Sequence, residues 1–545
     1  MNRIFTLVFA AGAGAFVASC SSGSSAEKTG CDSNPLDKVL CEDFAASGYE
    51  PVQAADQELC TRLFVDLKGV RPSKTEIAAS CAGKDIVSVV RSFQGTKDYR
   101  MTQRRRWADR LQYSDYMTDV MSIRTLDKLV DDLYRDRIGY REFAEIAISH
   151  PGFVGRHIGY GQPDLVAEAA FTAFLGRSAT TPERLDVGNL WKPWSGGGFF
   201  GGGDDAELVG DESEPEPTFG YGVVPMIDPF ACEAGVMSCR STLLGDASIE
   251  FPRNGREMYI YATDLTDEDM DVLREPGRLF TSLPMFWEAQ VDEALIRYLG
   301  YDLGKIRPEA RQRLVEFFKV TGGDLVRLER VILTSWAYRQ SATAFPERPS
   351  AIRYQPFAYG PTKPMIAETF LASVGALAGE SAGNCDWRYP NLPDWYYDSP
   401  ELDEALDDVY PRFEDGDIDA WFRNIAVQMG GCPGTMDFNT YTPRERSHHV
   451  GLMAAVAQEE AVVELCFVRD AAGLIPEGIA ADDIRPSAIS ATIRHVLDRA
   501  VGGATDAEVD AIVAARLEGC PRCTTEAVAR DLCAGIASGA EFLFY

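Results

Sequence analysis

Basic residues are in short supply: 53 lysines and arginines face 83 acidic residues, for a formal charge of −30. That balance excludes a nucleic-acid partner, whose phosphates it would repel. It also gives no adhesion to anionic lipid. Histidine is scarcer still, with five in the chain: His150, His157, His448, His449 and His495. No G-x-S-x-G, H-E-x-x-H, P-loop or dinucleotide fingerprint is present. Among so many carboxylates no glycosidase-type pair stands out. Beyond residue 17 no apolar run approaches the roughly 18 residues of a membrane span, so the mature chain is expected to be soluble apart from any anchor.

The one hydrophobic run sits at the start. Arg3 supplies a short positive region, and Ile4 to Val17 has the length of a signal-peptide core. It ends in Val17-Ala18-Ser19-Cys20, which is similar to a lipobox: an aliphatic residue, two small ones, then the cysteine that takes the lipid. Residues 1–19 are therefore expected to be removed, leaving Cys20 lipidated. Residues 20–50 then form a tether, opening on the flexible SSGSSAEKTG stretch. Ser21 is not the aspartate of inner-membrane retention, so the expected site is the outer membrane.

Twelve further cysteines follow: Cys31, Cys41, Cys60, Cys81, Cys232, Cys239, Cys385, Cys432, Cys466, Cys520, Cys523 and Cys533. An even number in an exported chain predicts structural disulfides, with connectivity left open. Cys520-Pro521-Arg522-Cys523 has the spacing of a zinc knuckle or redox pair. It lacks a second such pair, and the histidines lie far off in sequence. No metal is expected.

Helical periodicity dominates the remainder and predicts a mostly α protein of helix-turn-helix-rich, disulfide-stapled domains with long irregular loops. Residues 125–138 place Leu126, Leu129, Leu133 and Ile138 on one side. Helices are also expected over 309–318, 324–336, 454–465 and 525–542. Glycine stops followed by Ser/Thr-x-x-Glu starts recur at Gly69 with Ser73 and Glu76, at Gly176 with Thr180 and Glu183, and at Gly503 with Thr505 and Glu508. Two glycine triplets and an acidic run break the pattern after Trp194. The expected order is helical domain 51–193, linker 194–230, central helical domain 231–383, irregular aromatic–acidic segment 384–420 and C-terminal helical domain 421–545.

Four segments carry a family resemblance. Residues 62–73 (RLFVDLKGVRPS), 106–115 (RWADRLQYSD), 325–341 (LVRLERVILTSWAYRQS) and 529–544, closing on EFLF, resemble in order the cytochrome c-associated paired domains of unknown function abundant in planctomycetes. The resemblance covers about half of the chain and implies an exported, redox-adjacent setting. Relatives often carry C-x-x-C-H after a Phe-Leu-Gly segment. Here Phe174-Leu175-Gly176 is followed by Arg177-Ser178-Ala179, and Cys523 is followed by Thr524. No covalent haem is expected, and no other cofactor.

His448-His449 is a candidate cluster for acid–base or metal work, but neighbours on a helix point about 100° apart. For partner binding the candidates are Trp387, Tyr389, Trp395, Tyr396 and Tyr397, whose flat faces beside carboxylates suit a glycan or a protein. No catalytic residue can be named. The expected function is therefore that of a non-catalytic envelope lipoprotein binding a protein or glycan partner. The alternative is an enzyme or redox accessory acting on envelope polysaccharide or beside a c-type cytochrome.

Overall fold

The computed structural model describes residues 34–113, 120–150, 163–191, 274–342, 348–383, 420–431, 452–500 and 506–545, with the isolated positions 31, 153, 154 and 157. Within them the chain is mostly α and disulfide-stapled, with 22 α-helices. Nine precede the 192–273 stretch: α1 (Pro35–Ser47), α2 (Asp56–Lys68), α3 (Lys74–Ser80), α4 (Ile86–Gln94), α5 (Lys97–Leu111), α6 (Val120–Tyr134), α7 (Tyr140–Ile148), α8 (Pro163–Leu175) and α9 (Thr181–Gly188). Six follow it: α10 (Glu275–Ser282), α11 (Pro284–Leu299), α12 (Leu303–Ile306), α13 (Pro308–Val320), α14 (Leu325–Leu333) and α15 (Trp336–Arg339). The last seven are α16 (Ala367–Ala378), α17 (Ala420–Gln428), α18 (Leu452–Val463), α19 (Pro486–Ala500), α20 (Asp506–Gly519), α21 (Thr525–Ala537) and α22 (Ala540–Leu543). Among the described residues no strand forms, and no helix is long and apolar enough to cross a membrane.

Local chemistry sets many of these boundaries. Gly69 and Gly176 both take the left-handed conformation that ends a helix. Ser73 with Glu76, and Thr180 with Glu183, close reciprocal capping boxes that start the next helix. Leu126, Leu129 and Leu133 are buried along α6 as their spacing requires, whereas Ile138, also buried, lies beyond the helix, which ends at Tyr134 rather than continuing to residue 138.

Among the described residues two large hydrophobic cores result, with a small third one of Ile489, Ile493, Leu497, Val509 and Val528 between α19, α20 and α21. The larger runs from Leu36 to Ala358, with Trp107 at its heart, edge-on to Phe143 at 4.6 Å. The second gathers α16, α18, α19 and α21 around Phe370, Val374 and Ala461, and α2 lends it Val65. The boundary expected between 51–193 and 231–383 does not divide the larger core. Tyr140 stacks on Phe286 at 4.8 Å, and the backbone of Gly277 lies against α7 so closely that a Cβ would sit 2.4 Å from the Glu145 carbonyl. Aromatic burial unites what composition separates.

Three further expectations change. Residues 35–47 of the expected tether form α1, because Asn34 caps it and Leu36, Leu40 and Phe44 bury one face. The helix expected over 324–336 stops at Leu333, because Asp37 on α1 accepts the Trp336 N–H at 2.6 Å and starts a new turn. The helix expected over 525–542 divides at extended Gly539. The signal segment 1–19, Cys20, linker 194–230, Trp387, Tyr389, Trp395, Tyr396, Tyr397, His448 and His449 lie outside the described residues.

Eight of the twelve cysteines pair as Cys31–Cys41, Cys60–Cys81, Cys466–Cys533 and Cys520–Cys523. The remaining four, Cys232, Cys239, Cys385 and Cys432, lie outside the described residues. Such bonds belong to an oxidising compartment. Cys466–Cys533 is buried and spans 67 residues, whereas Cys520–Cys523 spans 3. Chain entropy assigns the long loop roughly 4 kcal/mol and the short one under about 2 kcal/mol. Cys466→Ala with Cys533→Ala should therefore lower the melting temperature well beyond Cys520→Ala with Cys523→Ala. Equal losses in thermal unfolding would contradict this.

His150, at the end of α7, is buried, and burial alone pushes its imidazole down from 6.5 to about 3. Between those values the unfolded ring binds a proton and the folded one does not. The stability this group leaves intact above pH 6.5 is lost as pH falls towards 3. Relative to His150→Gln, the native protein should lose about 2 kcal/mol between about pH 7.5 and about pH 5 in urea unfolding. Parallel stability curves for the two proteins would refute the assignment.

Candidate functional site

Segments 62–73 and 325–341 meet at one buried carboxylate. Asp66 sits in the last turn of α2, on the same helix as Arg62 of the same motif. Its Oδ1 accepts from Lys363 Nζ at 2.7 Å and from the Tyr545 hydroxyl at 2.9 Å. Its Oδ2 accepts from the Tyr338 hydroxyl and from Lys363 Nζ, both at 2.8 Å. Lys363 gives its remaining proton to the Arg297 carbonyl at 3.0 Å. Every polar atom of this centre has a partner.

One turn earlier, Arg62 reads the backbone of the Tyr-Arg-Gln-Ser segment. Its Nη1 donates to the Tyr338 carbonyl at 2.7 Å and the Gln340 carbonyl at 2.8 Å, and Nη2 pairs with Glu58. Glu58 in turn accepts the Ser341 hydroxyl at 2.8 Å and the Ala342 N–H at 2.6 Å. Gln340 donates to the Phe357 carbonyl at 2.7 Å. Gly360 must be glycine, because a Cβ there would lie 2.1 Å from the Gln340 carbonyl and 2.8 Å from Arg62 Nη2. The closing segment joins through Arg71, which donates to the carbonyls of Glu541 and Phe542, both at 2.9 Å. Backbone bonds between Lys363 and Tyr545, both 3.0 Å, pin the same strip.

A second polar knot lies behind the first. Glu329 is buried and accepts the hydroxyls of Tyr99 at 2.6 Å and Tyr134 at 3.1 Å, with Arg297 Nη1 at 3.5 Å. Trp107 of the Arg-Trp-Ala motif donates to Tyr134 at 3.3 Å. Arg106 Nη1 and the Tyr298 hydroxyl are buried with no hydrogen-bond partner.

The electrostatics follow from burial. Desolvation pushes the Lys363 ammonium down to about 8 against the pull of Asp66. Burial, then Asp66, holds the phenols of Tyr338 and Tyr545 well above their ordinary range. A lysine with a lowered pKa beside two phenols has the composition of a proton-transfer site. Here, however, the ammonium and the carboxylate are enclosed, and all of their bonds point inward.

Sequence reading singled out the motifs that meet here but not Lys363, Tyr545 or Glu329 as their partners. Lys363 lies 297 residues from Asp66, beyond any local spacing rule. Among the described residues no group of three or more His, Cys, Asp or Glu side chains could hold a metal ion. No family, curated protein or solved structure matches this chain.

Removing one member of a buried pair strands the other charge, at a cost of about 3–5 kcal/mol. Asp66→Asn should destabilise by that much in chemical denaturation. Lys363→Met should do likewise, and the double variant should lose far less than the sum. Additive losses would show that the two groups do not depend on one another.

Proposed function

We propose that this protein is an exported envelope lipoprotein, anchored by Cys20 at the outer membrane. In this reading its helical body is a non-catalytic scaffold for a protein or glycan partner. One observation carries the scaffold reading: Arg62, Asp66, Tyr338 and Gln340, from the most motif-like segments, are buried and bonded to one another rather than presented. Disulfides at both ends of the chain support export. The lipobox-like Val17-Ala18-Ser19-Cys20 supports the anchor. The aromatic–acidic stretch with Trp387, Tyr389, Trp395, Tyr396 and Tyr397 has the composition of a partner surface. A second reading, an enzyme or redox accessory acting on envelope polysaccharide or beside a c-type cytochrome, draws on the resemblance of segments 62–73, 106–115, 325–341 and 529–544 to cytochrome c-associated domains.

Fractionation tests the anchor. The native protein should sediment with membranes and carry acyl mass on Cys20. Cys20→Ser should appear in the soluble fraction or keep its signal segment. Membrane association and mass that do not change with the substitution would overturn the proposal.

A further inference from the structure

The Cys466–Cys533 and Cys60–Cys81 disulfides are built into cores, whereas Cys31 and Cys41 are partly exposed. Cys466, Cys533, Cys60 and Cys81 are all buried. Cys520–Cys523 differs from the core bonds in its exposure and from Cys31–Cys41 in its separation of 3 residues and its place beside a helix N-terminus. Both of its cysteines are partly exposed, and the bond closes a tight turn in which the Cys523 N–H donates to the Cys520 carbonyl at 3.2 Å. Neither flanking helix needs the bond. The Cys520 N–H still caps α20 on the Arg516 carbonyl at 2.8 Å, and Arg516 reaches Asp531 on α21 at 2.6 Å. α21 is held separately by Cys533 and by the Thr525 hydroxyl on the Ala480 carbonyl.

The two sulfurs are not equivalent. Cys523 immediately precedes Thr524, which caps the 13-residue α21, so a thiolate there sits at the positive end of the helix dipole. Arg522 adds a neighbouring positive charge, while the first-turn Glu526 is turned to Arg530 at 2.8 Å. Cys523 also packs against the small core of Ile489, Ile493 and Val528, whereas Cys520 does not join it. Packing covers Cys523 and not Cys520, and the helix N-terminus favours Cys523 as the leaving thiolate.

We propose that Cys520–Cys523 is an exchangeable disulfide that oxidises a dithiol on another protein, a function beyond the scaffold reading and independent of it. A thiolate of the partner attacks Cys520 Sγ. The Cys520–Cys523 bond breaks, and Cys523 leaves as a thiolate at the α21 N-terminus. The partner's second thiolate then attacks its own sulfur in the mixed disulfide and releases Cys520. The partner dithiol becomes a disulfide, two electrons pass to the cysteine pair, and the two partner protons end on Cys520 and Cys523.

The test equilibrates the mature, disulfide-intact protein with graded ratios of reduced to oxidised glutathione, alkylates it and maps the labelled cysteines by mass. Cys520 and Cys523 should reduce together, with an equilibrium constant at least about a hundredfold above that of Cys466–Cys533 and with helicity unchanged. A reduced dithiol peptide should then yield one equivalent of peptide disulfide per chain, a yield lost in Cys520→Ala with Cys523→Ala. A pair as resistant to reduction as Cys466–Cys533 would overturn the proposal. So would peptide oxidation that persists in the double variant. Neither result bears on membrane anchoring, so the two proposals fail separately.

Discussion

A single buried carboxylate, that of Asp66, ties the two halves of this structure together. It lies where α2 passes from one core to the other, and its neighbour Val65 already belongs to the second core. A carboxylate taken out of water costs several kcal/mol unless its lone pairs are filled. Here Lys363, Tyr338 and Tyr545 fill them, and each comes from a different part of the chain. The arrangement works only when α2, α15 and the closing strip are all in place. It acts as a check on assembly.

Much of the local structure was legible because it is locally caused. Glycines at helix stops, capping boxes and the Leu126 stripe obey rules that span a few residues. The departures share a different cause. α14 ends early because a carboxylate on α1 captures the Trp336 N–H from 299 residues away. α1 exists because Leu36 and Leu40 find a core that lies mostly after residue 52. The motifs at 62–73 and 325–341 could be recognised as units, yet their shared purpose rests on Lys363, which no motif contains. Contacts across some 300 residues leave no periodic trace.

The same division separates the two disulfide classes. Bonds buried in a core restrain the unfolded chain and are shielded from attack. A bond in an exposed turn beside a helix N-terminus restrains little and stays open to thiolates. The buried bonds and the Cys520–Cys523 turn thus answer to different constraints, and loss of one leaves the other to be measured.

Native-state hydrogen exchange tests the central claim most directly, by comparing the native protein with Asp66→Asn. If Asp66 couples the cores, amides of α16, α19 and α21 in the native protein should exchange through the same global opening as those of α5 and α7. In Asp66→Asn they should exchange through a separate, lower-energy opening. Protection that falls equally in both cores, or not at all, would contradict the account.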